Sequence, residues 1–272
     1  MVILAAVLIA SGLLHVGVWA FDGGAWAGPV SWRKPIVFGL SAGLTTASLA
    51  WVIAHLPETR RSVRLARIHV VAMALEVALI DMQRWRGVAS HFNSTTAFDS
   101  AVFTTMGLLI LVASWPIVAW TFDLVRARDL APDRRACLLG GMIVLDLGLL
   151  VGIGLSAWGG SGFGGADPAV IGRGGSLKLP HAIGLHALQV LPIAGLVLAR
   201  WVADVELRTR WIVRLSIGYG ALLIAALVQA TAGLPAGQPT TAALAIIVIG
   251  VVLPWRPWAS WALGLPSVEG SR

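Results

Sequence analysis

Charged residues are scarce in this chain. Only 12% of its 272 residues are Asp, Glu, Lys or Arg, while 57% are hydrophobic and the mean hydropathy is +0.83. A soluble domain carries about 25% charged residues. Cysteine is almost missing too: Cys137 stands alone, which excludes an intrachain disulfide and a cysteine-cluster metal site. There is no P-loop, no HExxH zinc motif and no CxxCH haem-attachment motif. Histidines one bilayer apart on a single helix, the usual frame for stacked b-type haems, are also missing. No soluble repeat pattern is visible, and no low-complexity segment beyond one glycine-rich loop. The net charge of +7 reads as arginines at membrane edges, so the expected partner is a lipid bilayer and not a nucleic acid.

What the chain does have is apolar runs near the ~20 residues needed to cross a bilayer core. They predict helices over residues 2–20, 35–54, 65–86, 98–125, 136–158, 180–201, 211–232 and 240–254, with the Trp-rich stretch 255–265 lying along the interface. No basic segment precedes the first run and no small-x-small cleavage site ends it, so it reads as a retained helix. The expected fold is all-α: one integral-membrane domain over residues 1–272, a polytopic transmembrane bundle of about eight membrane helices. Gly39, Gly43 and Ala47, and again Gly148, Gly152 and Ser156, offer smooth faces for close helix contact. Pro116 is expected to kink the fourth helix, and Thr96 with Asp99 to cap its start. Trp26 and Trp32 suit an interfacial belt, and the glycine-rich loop 159–179 reads as a flexible lid.

The basic residues divide by loop. Arg60, Arg61, Arg64, Arg67, Arg126, Arg128, Arg134, Arg135, Arg200, Arg208, Arg210, Arg214, Arg256 and Arg272 make fourteen on one side. Arg33, Lys34, Arg84, Arg86, Arg173 and Lys178 make six on the other. The positive-inside rule assigns the larger group to the cytoplasm, giving a bacterial inner-membrane protein with both termini inside. Lys34, His91, Asn93, Asp99, His181 and the glycine-rich loop then fall together at the outer face.

Three stretches carry candidate chemistry. His69, Glu76 and Gln83 are seven residues apart on the third helix, a spacing that drifts only about 20° per step. They share nearly one face, and a carboxylate at mid-membrane needs a partner, a proton or water. The bland alternative is a protonated Glu76 bonded to a neighbouring helix. The loop RGVASHFN supplies Arg86, His91 and Asn93, with Asp99 just beyond; its bland reading is a loop held by backbone hydrogen bonds. The sixth helix opens PHAIGLHALQVLP, where His181 and His186 are five apart, a weaker metal signal than i, i+4, while His186 and Gln189 share a face. Imidazoles here could equally cap a helix end or satisfy a buried carbonyl. Asp146 lies alone in its helix and could pair with His15 or an inward-reaching base; Asp81 and Arg84 read as a local helix pair.

FDGG at 21–24, SWRKPIVFGLS at 31–41, RGVASHFN at 86–93 with TAFD at 96–99, and GGSLKLPHAIGLHALQVLP at 174–192 together resemble a family of bacterial multipass membrane proteins with no assigned activity. The family's second lysine after the KP step is Val37 here. The resemblance implies fold and membrane location, not function.

These readings leave three functions open. The first is an outward-facing metal or haem site for redox chemistry, with His91, His181 and His186 as ligands, Glu76 and His91 in catalytic roles, and Lys34, Gln83, Arg86, Asn93, Asp99 and Gln189 around a bound cofactor or small molecule. The second is a proton- or ion-coupled transporter using Glu76 and Asp146. The third is a metal-dependent intramembrane hydrolase with Glu76 as base. A noncatalytic sensor or assembly subunit is the remaining class.

Overall fold

The computed structural model describes residues 1–160 and 170–262. The chain runs through α1 (Val2–Asp22), α2 (Arg33–Ile53), α3 (Arg60–Trp85), α4 (Ala97–Arg126) and α5 (Pro132–Gly160). A hairpin of β1 (Val170–Ile171) and β2 (Gly175–Ser176) follows, then α6 (Lys178–Trp201), α7 (Val205–Thr231) and α8 (Thr241–Ala262). Helix dominates because a segment in lipid must satisfy its own backbone groups. Among the described residues, six helices are long and apolar enough to cross a membrane: α1, α2, α4, α5, α6 and α7. All eight expected helices are present, and six of them meet this measure. With 26 residues α3 is ~39 Å long, but it carries Glu76, Asp81 and Arg84 in its second half. The apolar part of α8 is only Thr241–Gly250. Its helix continues to Ala262, and residues 263–272, the end of the expected interfacial tail, lie outside the described residues.

Six helices begin earlier than the apolar pattern predicts, and in two of them polar caps account for the extension. Thr59 and Ser62 form a capping box at the start of α3, each side chain taking the other's backbone N–H. Asp204 accepts from the N–H groups of Glu206 and Leu207 at the start of α7.

The chain divides into two compact units, Met1–Arg126 and Ala127–Arg272. In the first, α1 packs on α2 and α3, α2 on α3, and α3 on α4. Glycine sets the closest approach: a Cβ on Gly39 would lie 2.9 Å from the Gly12 Cα, and one on Gly43 2.9 Å from the Ala5 carbonyl oxygen. The string GLSAG at 39–43 has the spelling of a nucleophile elbow, yet it lies inside α2 and its glycines serve this contact. Leu8, Ala42 and Val77 form one buried cluster, and Ile80, Val102 and Met106 another.

In the second unit α5 packs on α6 and α7, α6 on α7, and α7 on α8. Here a Cβ on Gly148 would lie 2.7 Å from the Gly184 Cα. The core gathers Val144, Val151, Leu177, Ala187, Leu223 and Ala230. The glycine-rich connection is not uniformly loose. Residues 170–176 form the hairpin, whose Arg173 and Gly174 N–H groups both donate to the Gly233 carbonyl, at 2.8 and 3.1 Å. Gly172 and Gly233 both have positive φ and meet Cα to Cα, an approach side chains would block. Residues 161–169, the rest of the expected lid, lie outside the described residues.

Gly148→Ala is therefore expected to lower the melting temperature of the detergent-solubilised protein by several degrees. Gly107→Ala, whose new methyl meets nothing within 4 Å, should leave it unchanged or slightly raised. Equal effects of the two would show that the glycine crossing does not limit stability.

Candidate functional site

The polar stripe on α3 is buried as its seven-residue spacing predicts: His69 is 2% exposed, Glu76 2% and Gln83 0%. The two ends of the stripe are satisfied. His69 donates from Nδ1 to the Ala113 carbonyl, 3.0 Å away, in the turn of α4 that Pro116 interrupts. This leaves its Nε2 to face the Thr46 hydroxyl at 3.4 Å. Gln83 donates from Nε2 to Asp99 Oδ1 at 3.0 Å. Glu76, a turn or two from either, is the exception. Its Oε2 is buried and has no hydrogen-bond partner among the described residues.

At the end of α3 the stripe opens into a network. Arg86 donates from Nη1 to Asp99 Oδ1 at 2.8 Å and also to Gln83 Oε1. The guanidinium lies over the Phe98 ring, 4.6 Å from its centroid. Asp99 is buried in the first turn of α4, where the helix dipole favours an acid. Its Oδ2 accepts from the Thr96 hydroxyl at 2.7 Å, and its N–H donates to that hydroxyl at 3.1 Å, the cap expected for this pair. Asn93 holds the loop, donating to the Ala89 carbonyl at 2.9 Å and accepting from the Thr95 N–H at 3.1 Å. Phe92 sits at φ 56, the only described non-glycine residue in the left-handed region, and such outliers concentrate at functional loops.

His91 lies in this loop against Phe38, Phe92 and Phe103, with the Ser90 hydroxyl 2.9 Å from Nδ1. Burial pushes its imidazole down to about 3, and the charge of Lys34 at the start of α2 pushes the same way. His91 is thus a neutral ring in an aromatic setting.

A second cluster ties the FDGG and SWRKP segments to α3. Trp32 is 4% exposed and donates from Nε1 to Asp22 Oδ2 at 2.6 Å, so it is a buried anchor and not a belt residue; Trp26 is the exposed one. Arg84 stacks on Trp32 at 3.6 Å and reaches Asp22, leaving Asp81 to accept from the Ser11 hydroxyl at 3.0 Å. The expected Asp81–Arg84 helix pair is replaced by these longer-range partners. His15 donates from Nδ1 to the Ser11 carbonyl and accepts from the Trp85 Nε1–H at 3.0 Å. Sequence reading passed over this cluster. Its one local signal was the i, i+4 pairs Ser11–His15 and Asp81–Trp85.

The first unit therefore unites Gln83, Arg86, Asn93 and Asp99 in one network, with His91 in the same loop and Glu76 deeper on the same helix face. His181, His186, Gln189 and Asp146 belong to the second unit. There His181 donates from Nδ1 to the Gly148 carbonyl at 2.7 Å, with its ring against Gly152. His186 is exposed, and Gln189 and Asp146 are half-buried. Among the described residues no group of three or more His, Cys, Asp or Glu side chains is placed to hold a metal ion. No family model matches the chain, and no curated protein or solved structure is significantly similar to it.

The His91 environment makes a pH prediction. Its folded value lies below its ordinary 6.5, so below about pH 6.5 the unfolded chain binds a proton that the folded chain does not. Its contribution to stability is complete above that pH and is lost as pH falls toward about 3. The melting temperature should fall from about pH 7 to about pH 5 more steeply in the parent than in His91→Phe. Identical slopes would show that His91 titrates freely in the folded state.

Proposed function

We propose that this is a proton-coupled membrane transport protein in which Glu76 is the carboxyl that loads and unloads the proton. The observation that carries the reading is the contrast along α3: His69 and Gln83 are bonded to neighbouring helices, while the carboxyl between them has a buried oxygen with no partner. Burying an ionised carboxylate without a partner is costly. A group kept at that cost between two bonded neighbours reads as functional. Glu76 exchanges its proton toward the outer end of α3, where Arg86 and Asp99 form an ion pair. The metal and haem reading gains nothing from the geometry, because no group of three or more His, Cys, Asp or Glu side chains among the described residues is placed to hold an ion. The metal-dependent hydrolase reading needs the same missing centre. The fourteen-to-six split of basic residues supports a bacterial inner membrane location with both termini in the cytoplasm.

In vesicles containing the purified protein and a pH-sensitive dye, an imposed proton gradient should dissipate faster than in empty vesicles. Glu76→Gln should abolish the difference while remaining monodisperse. Unchanged proton flux in a folded Glu76→Gln would overturn the assignment. Reporter fusions after Glu58, Arg128 and Glu206 should report cytoplasm and one after Gly28 the outside; the reverse pattern would invert the pathway.

A further inference from the structure

The two units, each described by itself, use the same devices in the same order. The α1–α2 contact is built on Gly12 and Gly39, with Leu40 next to the crossing: a Cβ on Gly12 would lie 2.9 Å from the Leu40 nitrogen. The α5–α6 contact is built on Gly148 and Gly184, and a Cβ on Gly148 would lie 3.2 Å from the Leu185 nitrogen. Seven residues earlier on the first helix of each unit the contact recurs with the glycine exchanged. Gly43 of α2 faces Ala5 of α1, and Gly141 of α5 faces Leu188 of α6.

The other correspondences follow in register. SWRKPIVFGLSA at 31–42 matches SLKLPHAIGLHA at 176–187 in its Ser, basic, Pro, Gly-Leu and Ala positions. The N-cap residues Trp32 and Leu177 share a helical geometry, φ −62 ψ −18 and φ −67 ψ −12, and both are buried. The buried cluster Leu8, Ala42, Val77 has its counterpart in Val144, Ala187, Leu223. The third helix of each unit ends on a buried glutamine and a positive-φ glycine four residues later: Gln83 with Gly87 at φ 73, and Gln229 with Gly233 at φ 72. Gln229 donates to the Pro235 and Gln238 carbonyls and accepts from the Thr240 N–H at the start of the fourth helix, where Gln83 reaches Asp99 in the first turn of its own fourth helix. A threonine caps the fourth helix in both, Thr96 accepting from the N–H of Asp99 and Thr240 from that of Ala243, each at 3.1 Å.

We propose that residues 1–126 and 127–262 are two copies of one four-helix module, and that the second copy keeps the frame but lacks the buried polar groups of the first. In this register His69, Glu76 and Asp81 correspond to Leu215, Leu222 and Leu227, and Arg86 and Asp99 to Ala232 and Ala243. The glutamine alone is common to both stripes. Gln83 is therefore part of the frame, with Asp99 and Arg86 as its partners in this copy, and Glu76, which no bond holds, is an addition that the module folds without. Placing the functional site in the first copy rests on the proton-carrying reading of Glu76; the duplication does not.

The test installs second-copy residues in the first copy of the full-length protein and reads melting temperature and monodispersity in detergent. Glu76→Leu should melt at or above the parent. Gln83→Leu and Gln229→Leu should each lower the midpoint by several degrees or abolish monodisperse protein. The proposal is overturned if Glu76→Leu destabilises as much as Gln83→Leu, or if Gln229→Leu has no effect. These melts decide the duplication whatever the proton assay gives. A well-folded Glu76→Leu that still passes protons would sink the transport reading and leave the duplication standing.

Discussion

A buried polar group in a bilayer has no water to turn to, so it must find its partner inside the protein. That constraint organises the first unit. Ser11, Asp22, Trp32, His69, Gln83 and Asp99 each have a partner on another helix or loop, and the partners set where the helices meet. The network around Asp99 is the clearest case. A helix dipole, a threonine cap, a glutamine from the preceding helix and a guanidinium all converge on one carboxylate. Buried Asp81 Oδ1, Arg84 Nε and Trp120 Nε1 also lack a partner, but Asp81 and Arg84 are engaged through their other atoms and Trp120 carries no charge, so Glu76 stands out as the buried acid that no bond holds.

The frame that carries these groups is made of something different. Close glycine contacts between successive helices, small buried clusters and threonine-capped helix starts recur in both units, and none of them needs a titratable side chain. Lipid tails give helices no hydrophobic reason to associate, so close backbone approach is what binds them. A frame built on glycine contacts tolerates exchange of the polar residues on its other faces. This is why one unit carries buried acids and bases along its third helix while the corresponding positions of the other are leucine and alanine.

Much of this was legible in the sequence. Helix periodicity revealed the buried stripe of α3, since a seven-residue spacing keeps one face, and the Thr96–Asp99 cap has a local signature. Trp32 was misread because a tryptophan near a membrane edge looks like a belt residue; its partners Asp22 and Arg84 are, respectively, ten residues before it and on α3. The Asp81–Arg84 pair failed for the same reason, as distant partners outcompeted a local one. The hairpin at 170–176 hides in a glycine-rich string because its strands are only two residues each and its hold comes from Gly233. The duplication escaped notice because the motif residues that draw the eye, Glu76, His91, Asp99 and the histidines of α6, are those the two copies do not share. The convergence of His91 with His181 and His186 involves both units, and each histidine has its own local partners or surroundings.

The most direct test of the account is whether the Glu76 carboxyl holds a proton in the folded protein. Infrared difference spectra between acid and alkaline states of membranes containing the protein report protonated carboxyl groups through their C=O stretch. The account predicts such a band in the parent, shifted on exchange into heavy water and lost in Glu76→Gln. A band that survives Glu76→Gln unchanged, or no band in the parent at all, would contradict it.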